Sequence, residues 1–124
     1  MVKALLIASL FAFTACNREY NQYEKIINDA DRIDIHYKQP GKELKLSNKD
    51  ILAFKRVFLL KIKPENQREF ITNVSVDVYA HNKRIGFFQI YQSHSDSFVN
   101  FNSAKFNFGF PLTYGIGMFL DDLK

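Results

Sequence analysis

The second half of the chain constrains the fold most, because short runs of apolar residues recur there between polar turns. Val74–Ala80 places an apolar residue at every second position, and Ile85–Tyr91 is apolar on both faces. Two phenylalanine-rich runs follow, Phe98–Asn102 and Lys105–Phe110. A period of two is typical of β-strands, and strands joined by tight turns pair antiparallel. The pattern predicts an antiparallel meander with Ile85–Tyr91 at its centre.

The first half of the chain has the pattern of a further strand and of a short strand at the edge of the sheet. Arg32–Lys38 alternates apolar and polar residues, which predicts a half-buried strand. Pro40 and Gly41 then predict a turn. Leu44 and Leu46 are spaced for a short edge strand beyond it.

Three segments have helical spacing. Tyr23–Asp31 is short and therefore marginal without packing. Ser47–Asp50 predicts a capping box ahead of apolar residues that run to Phe58, and Pro64 sets the outer limit of this main helix. The tail, Leu112–Leu123, also repeats at helical spacing. The expected class is α+β, a single antiparallel sheet of about four to five strands packed by one main helix and a C-terminal helix.

Length and composition exclude several classes of protein. The chain has 124 residues, enough for one domain, and its 47% hydrophobic and 24% charged residues exclude disorder. With 13 Phe, 6 Tyr and no Trp, the core is expected to be built on phenylalanine. A single cysteine excludes an internal disulfide and a multi-cysteine metal site. The net charge of +4 is only mildly basic, and the sequence lacks the dense basic patch that is typical of a nucleic-acid binder. We expect no cofactor.

The N-terminus has the features of an export signal. Lys3 precedes an uncharged run, Ala4–Phe13, whose ten residues would rise only about 15 Å in a helix, half the thickness of a bilayer's hydrocarbon core. Phe13-Thr14-Ala15-Cys16 follows, and this tetrapeptide resembles the lipobox of bacterial lipoproteins.

The lipobox resemblance implies a processing scheme. Residues 1–15 would be a signal peptide that is removed, and Cys16 would become a lipidated N-terminus attached to the membrane. Residues 16–22 would form the lipidated cysteine and a tether, followed by one globular domain over residues 23–124. Asn17 stands where an inner-membrane retention signal has Asp, so the resemblance favours the outer membrane, facing the periplasm. The globular domain matches no named family.

Catalytic and metal chemistry have weak support in the sequence. Asp34 and His36 share a strand face, but two donors do not complete a zinc site, and a solvated outer face explains them equally. His94 lies in a serine-rich turn whose polar side chains are expected to cap their own backbone. We therefore expect no catalytic and no metal-binding residues and a protein that is not an enzyme.

Two surfaces are candidates for binding a partner. Residues 38–63 contain eight basic residues against two acidic ones. Lys45, Lys49, Lys55 and Arg56 would either form a docking surface there or be the solvated side of an amphipathic helix. The alternative is a surface made of two turns, with these members: His81, Asn82 and Lys83 together with Ser93–Ser97.

Two functions follow. The first is a non-enzymatic lipoprotein of the bacterial cell envelope that binds another envelope protein, as an inhibitor, immunity factor or assembly accessory does. The second is a lipoprotein that binds a small ligand or lipid in a phenylalanine-lined pocket between sheet and helix.

Overall fold

The computed structural model describes residues 19–60 and 62–124. It is an α+β fold with one six-stranded antiparallel sheet in the order β2-β1-β3-β4-β5-β6. The strands are β1 (Arg32–Tyr37), β2 (Lys42–Lys45), β3 (Val74–Ala80), β4 (Lys83–Tyr91), β5 (Phe98–Asn102) and β6 (Asn107–Pro111). The helices are α1 (19–29), α2 (Asn48–Phe58) and α3 (Tyr114–Leu123). The predictions for the signal peptide, the lipobox and Cys16 lie outside the described residues.

The fold class was predicted correctly, but the counts were too low. The sheet has six strands where we expected four to five, because the short edge strand β2 pairs with β1 along its whole length. The described residues form three helices where we expected two, because α1 packs Tyr23 and Ile27 into the core. Residues 19–22, which we assigned to the tether, are helical, and the Tyr20 hydroxyl donates to the Leu59 carbonyl at 3.1 Å.

Polar side chains cap the first turns of α2 and α3, and apolar side chains of α2 are buried. The Ser47 hydroxyl accepts from the Asp50 amide at 3.2 Å, as the capping box predicts. The α2 helix then buries Phe54 and Phe58, which confirms its predicted apolar face. Thr113 caps α3 in the same way, accepting from the Ile116 amide at 3.2 Å.

All three helices pack on one face of the sheet and cover a core of aromatic rings. Phe58 meets Phe88 of β4 at 4.9 Å between ring centroids, and Tyr23 of α1 meets Phe101 of β5 at 5.0 Å. Phe54 stacks on Phe58 at 3.9 Å. The expected phenylalanine core is confirmed.

The helices run antiparallel to their neighbours. At the start of α1, the Tyr20 hydroxyl donates to the Leu59 carbonyl, just beyond the end of α2. Near the end of α1, the Asn28 carbonyl accepts from the ammonium of Lys55, which lies one turn earlier in α2. The α3 helix begins near the end of α2 and brings Phe119 back to within 6.1 Å of Phe54. The starts of α1 and α3 and the end of α2 therefore lie at one end of the helical layer.

Residues 62–73, which we call the strap, cross the other face of the sheet. Glu65 forms a two-way backbone bridge with Gly109 on the outer side of β6. The Arg68 guanidinium then lies 4.1 Å above the Phe98 ring, and Asn100, which is buried, bonds both backbone groups of Arg68. Phe70 packs against Tyr91 further on. The strap thus covers β4 to β6 on the face of the sheet away from the helices.

Candidate functional site

An open cleft of about 540 Å³ lies at the end of the sheet where β1 and β4 end and β3 begins. The last turn of α3 and the end of the strap close its sides. Its principal lining residues are Tyr37, Lys38, Ile71, Tyr91, His94 and Asp121.

Tyr37 connects the floor of the cleft to α3. Its side chain is buried because the alternation of β1 points it to the helix side of the sheet. The hydroxyl donates to the Leu120 carbonyl at 2.6 Å. Burial, with a smaller contribution from the negative charge of Asp121, raises the pKa of Tyr37 to about 12. The hydroxyl is therefore a neutral donor at physiological pH.

Two amide side chains fix one wall of the cleft. The Asn73 side chain donates to the Gln92 carbonyl at 2.7 Å and accepts from the Gln92 amide at 2.9 Å. The Gln92 side chain donates in turn to the Gly117 carbonyl and to the Asp121 carboxylate, at 3.3 and 3.1 Å. These bonds join the strap, β4 and α3 into one frame.

The turn at Ser93–Ser97 forms the rim. The Ser97 hydroxyl accepts from the Ser93 amide and donates to the Ser93 carbonyl, both at 2.9 Å. The Ser93 hydroxyl bonds the Ser95 backbone, and Asp96 adopts a φ of 54°. The expected self-capping by serine is confirmed. The turn holds His94 exposed beside the cleft.

The cleft combines an apolar patch with charges. Ile71 of the strap is 75% exposed, and Tyr91 is half-buried against Phe70. Lys38 and Lys124 are exposed at the edge of the cleft. Such a surface can bind an extended segment through apolar contact, hydrogen bonds and ionic attraction.

The basic residues predicted as one docking surface are separated by the fold. Lys45 lies opposite Asp34 in the β1–β2 register and so faces the side of the sheet away from the helices. Lys49 and Arg56 are exposed on α2, in the helical layer. Lys55 is half-buried, since its ammonium bonds the Asn28 carbonyl at 2.8 Å. Lys45 is therefore separated from Lys49 and Arg56, and partner binding by these residues stays a prediction.

The two predicted turns also lie apart. His81 and Asn82 have φ values of 54° and 64°, which confirms the expected turn at this position. Lys83 is exposed at the start of β4. The nine residues of β4 separate this turn from Ser93–Ser97 by about 25 Å. A combined surface was therefore wrong, because the turns occupy opposite ends of the sheet.

Both members of the possible ligand pair on β1 contact other polar side chains. Asp34 pairs with Arg32 at 2.7 Å, and the His36 Nδ1 lies 3.3 Å from the Glu43 carboxylate. Over residues 19–60 and 62–124, no group of three His, Cys, Asp or Glu side chains is arranged to hold a metal ion.

Sequence reasoning missed the cleft as a site. Tyr37 was expected only as a strand residue, and Ile71, Asn73 and Gln92 were not singled out. One signal was available. In an antiparallel hairpin, the residue just before the first strand lies near the residue just after the second. Polar residues at those two positions, here Asn73 and Gln92, therefore indicate that the two residues bond each other.

Comparison with protein-family models, curated proteins and solved structures gives no significant match for the chain. No helix within the described ranges is both long enough and apolar enough to cross a bilayer.

Proposed function

We propose that the chain is a lipid-anchored, non-enzymatic protein of the bacterial cell envelope that binds a segment of another envelope protein in the cleft. The lipobox resemblance at Phe13-Thr14-Ala15-Cys16 supports the anchor, and Asn17 supports the outer membrane, facing the periplasm. The observation that carries the binding function is an exposed apolar patch set in a cleft whose wall is fixed by hydrogen bonds.

The openness of the cleft favours a protein segment over a small molecule. Small-molecule sites commonly bury most of their ligand, whereas Ile71 at 75% exposure is available to a broad partner surface. Tyr91, which is partly exposed in the cleft, is a residue type that is enriched at protein interfaces. The phenylalanine-lined pocket has less support, because no phenylalanine within residues 19–60 and 62–124 lines the cleft and the core rings pack against one another.

The charges at the edge suggest the character of the segment. Lys38 and Lys124 are exposed, whereas the Asp121 carboxylate accepts from Gln92. A segment with an apolar side chain for Ile71 and Tyr91 and an acidic group for the lysines complements this surface.

A matched pair of substitutions tests the site. Ile71 and Leu52 are exposed to similar extents, 75% and 64%, but only Ile71 lines the cleft. A photo-crosslinking amino acid at His94, in cells, is expected to form one discrete protein adduct. Ile71→Asp is expected to remove most of that adduct, because a charge opposes apolar contact, and Leu52→Asp is expected to leave it unchanged. An adduct that both substitutions leave intact, or that both remove, contradicts binding in the cleft.

A further inference from the structure

Two large apolar side chains are exposed at the end of the helical layer where α1 and α3 begin. Leu60 is 51% exposed and Tyr114 is 82% exposed. They are neighbours, since a Cβ at Gly115 would lie 3.6 Å from the Leu60 Cδ1. We call this surface, Leu60 and Tyr114 with the exposed cations Arg56 and Lys63, the basal end.

The proposed lipid attachment lies close to the basal end. Tyr20 bonds the Leu59 carbonyl at 3.1 Å, next to Leu60 in the chain. Cys16 precedes Tyr20 by four residues, which span at most about 14 Å even when fully extended. A lipid on Cys16 therefore holds the basal end within a few side-chain lengths of the bilayer.

The chemistry of the basal end suits a lipid surface. Tyrosine is enriched where headgroups meet hydrocarbon, and an exposed leucine gains by entering the same region. Arg56 precedes Leu60 by four residues and Lys63 follows it by three, and both cations are exposed. Glu19 is the exposed acid at the start of α1. Anionic headgroups attract such cations.

We infer that the basal end docks on an anionic lipid surface, as a second contact beside the proposed lipid on Cys16. The inference rests on the proposed anchor and adds an orientation to it. The α3 helix runs from Tyr114 to Leu123, about 15 Å, and its last turn borders the cleft. With the basal end on the bilayer, the cleft is held away from the lipid and open to a partner.

A single tryptophan reports the contact, because the natural chain has none. Tyr114→Trp is placed in the full-length lipidated protein and reconstituted in phosphatidylethanolamine–phosphatidylglycerol vesicles with brominated acyl chains. Leu52→Trp is the matched control, since Leu52 is 64% exposed on the same helix as Arg56 but about 12 Å from Leu60 along its axis. We expect Tyr114→Trp to be quenched at least about twofold more than Leu52→Trp.

Other outcomes overturn the inference. Docking through the basal end is overturned if the two variants are quenched equally. It is also overturned if the tryptophan of Tyr114→Trp is not quenched in protein that floats with the vesicles. Both results leave the anchor intact. Quenching that is unchanged when phosphatidylcholine replaces phosphatidylglycerol overturns the role of the cations. A chain whose mass shows no lipid on Cys16 overturns the proposed anchor together with the inference.

Discussion

At the scale of residues, two glycines differ in how much room the fold leaves for a larger side chain. A Cβ at Gly109 would lie 2.4 Å from the Phe98 Cε1, so the Phe98 ring occupies the space that any larger residue needs. The strap then closes over Phe98 through Arg68. Gly117 in α3 differs, since its nearest neighbours would lie 3.7 Å from an added Cβ.

This difference predicts opposite effects of one substitution. Gly109→Ala is expected to lower the free energy of unfolding by about 1–3 kcal/mol, because the Phe98 ring must move. Gly117→Ala is expected to leave it unchanged or raise it by up to about 1 kcal/mol, because alanine favours the helix and has room. Urea unfolding of the two variants measures both effects. Equal destabilisation by the two substitutions is the contradicting result.

At the scale of elements, the bond between β1 and α3 ties the main sheet to the helix that borders the cleft. Tyr37 donates to the Leu120 carbonyl only while its hydroxyl is protonated. Its pKa is raised in the folded chain to about 12, from 10 in its ordinary range. The folded state therefore holds the proton more tightly than the unfolded chain does, and this stabilisation is complete below pH 10.

The free energy of unfolding is accordingly expected to fall as the pH rises from about 10 to about 12. Tyr37→Phe is expected to be less stable than the natural chain at neutral pH and to lose less stability over that interval. Burial also raises the pKa of Tyr23 well above its ordinary value, so the variant retains some dependence on pH. Denaturant titrations across this interval measure the difference. Equal slopes in the two proteins exclude Tyr37 as a source of the pH dependence.

The elements that could be predicted from sequence are those with local signals. The alternation in Val74–Ala80 and the cap at Ser47 depend on residues a few positions apart, and both are confirmed. The strap has no such period, because its path depends on bonds to distant residues such as Asn100. The cleft depends on the strap and on α3 reaching β1, so it could not be predicted from local patterns.

At the scale of the whole molecule, the fold separates two surfaces. The basal end lies where α1 and α3 begin, and the cleft lies where α3 ends. In the proposed function, a lipid on Cys16 attaches the basal end to the membrane, and the cleft at the other end binds the partner. Lys45 and Arg56 lie on different layers of the fold, and partner binding by the basic residues stays a prediction.

The central claim is that the chain is a lipid-anchored protein, and the intact mass of the chain extracted from bacterial membranes tests it most directly. We expect a chain that begins at Cys16, lacks residues 1–15 and carries acyl groups on that cysteine. Cys16→Ser is expected to leave the precursor uncut and without lipid. A natural chain that retains Met1 and a free thiol at Cys16 would contradict the claim.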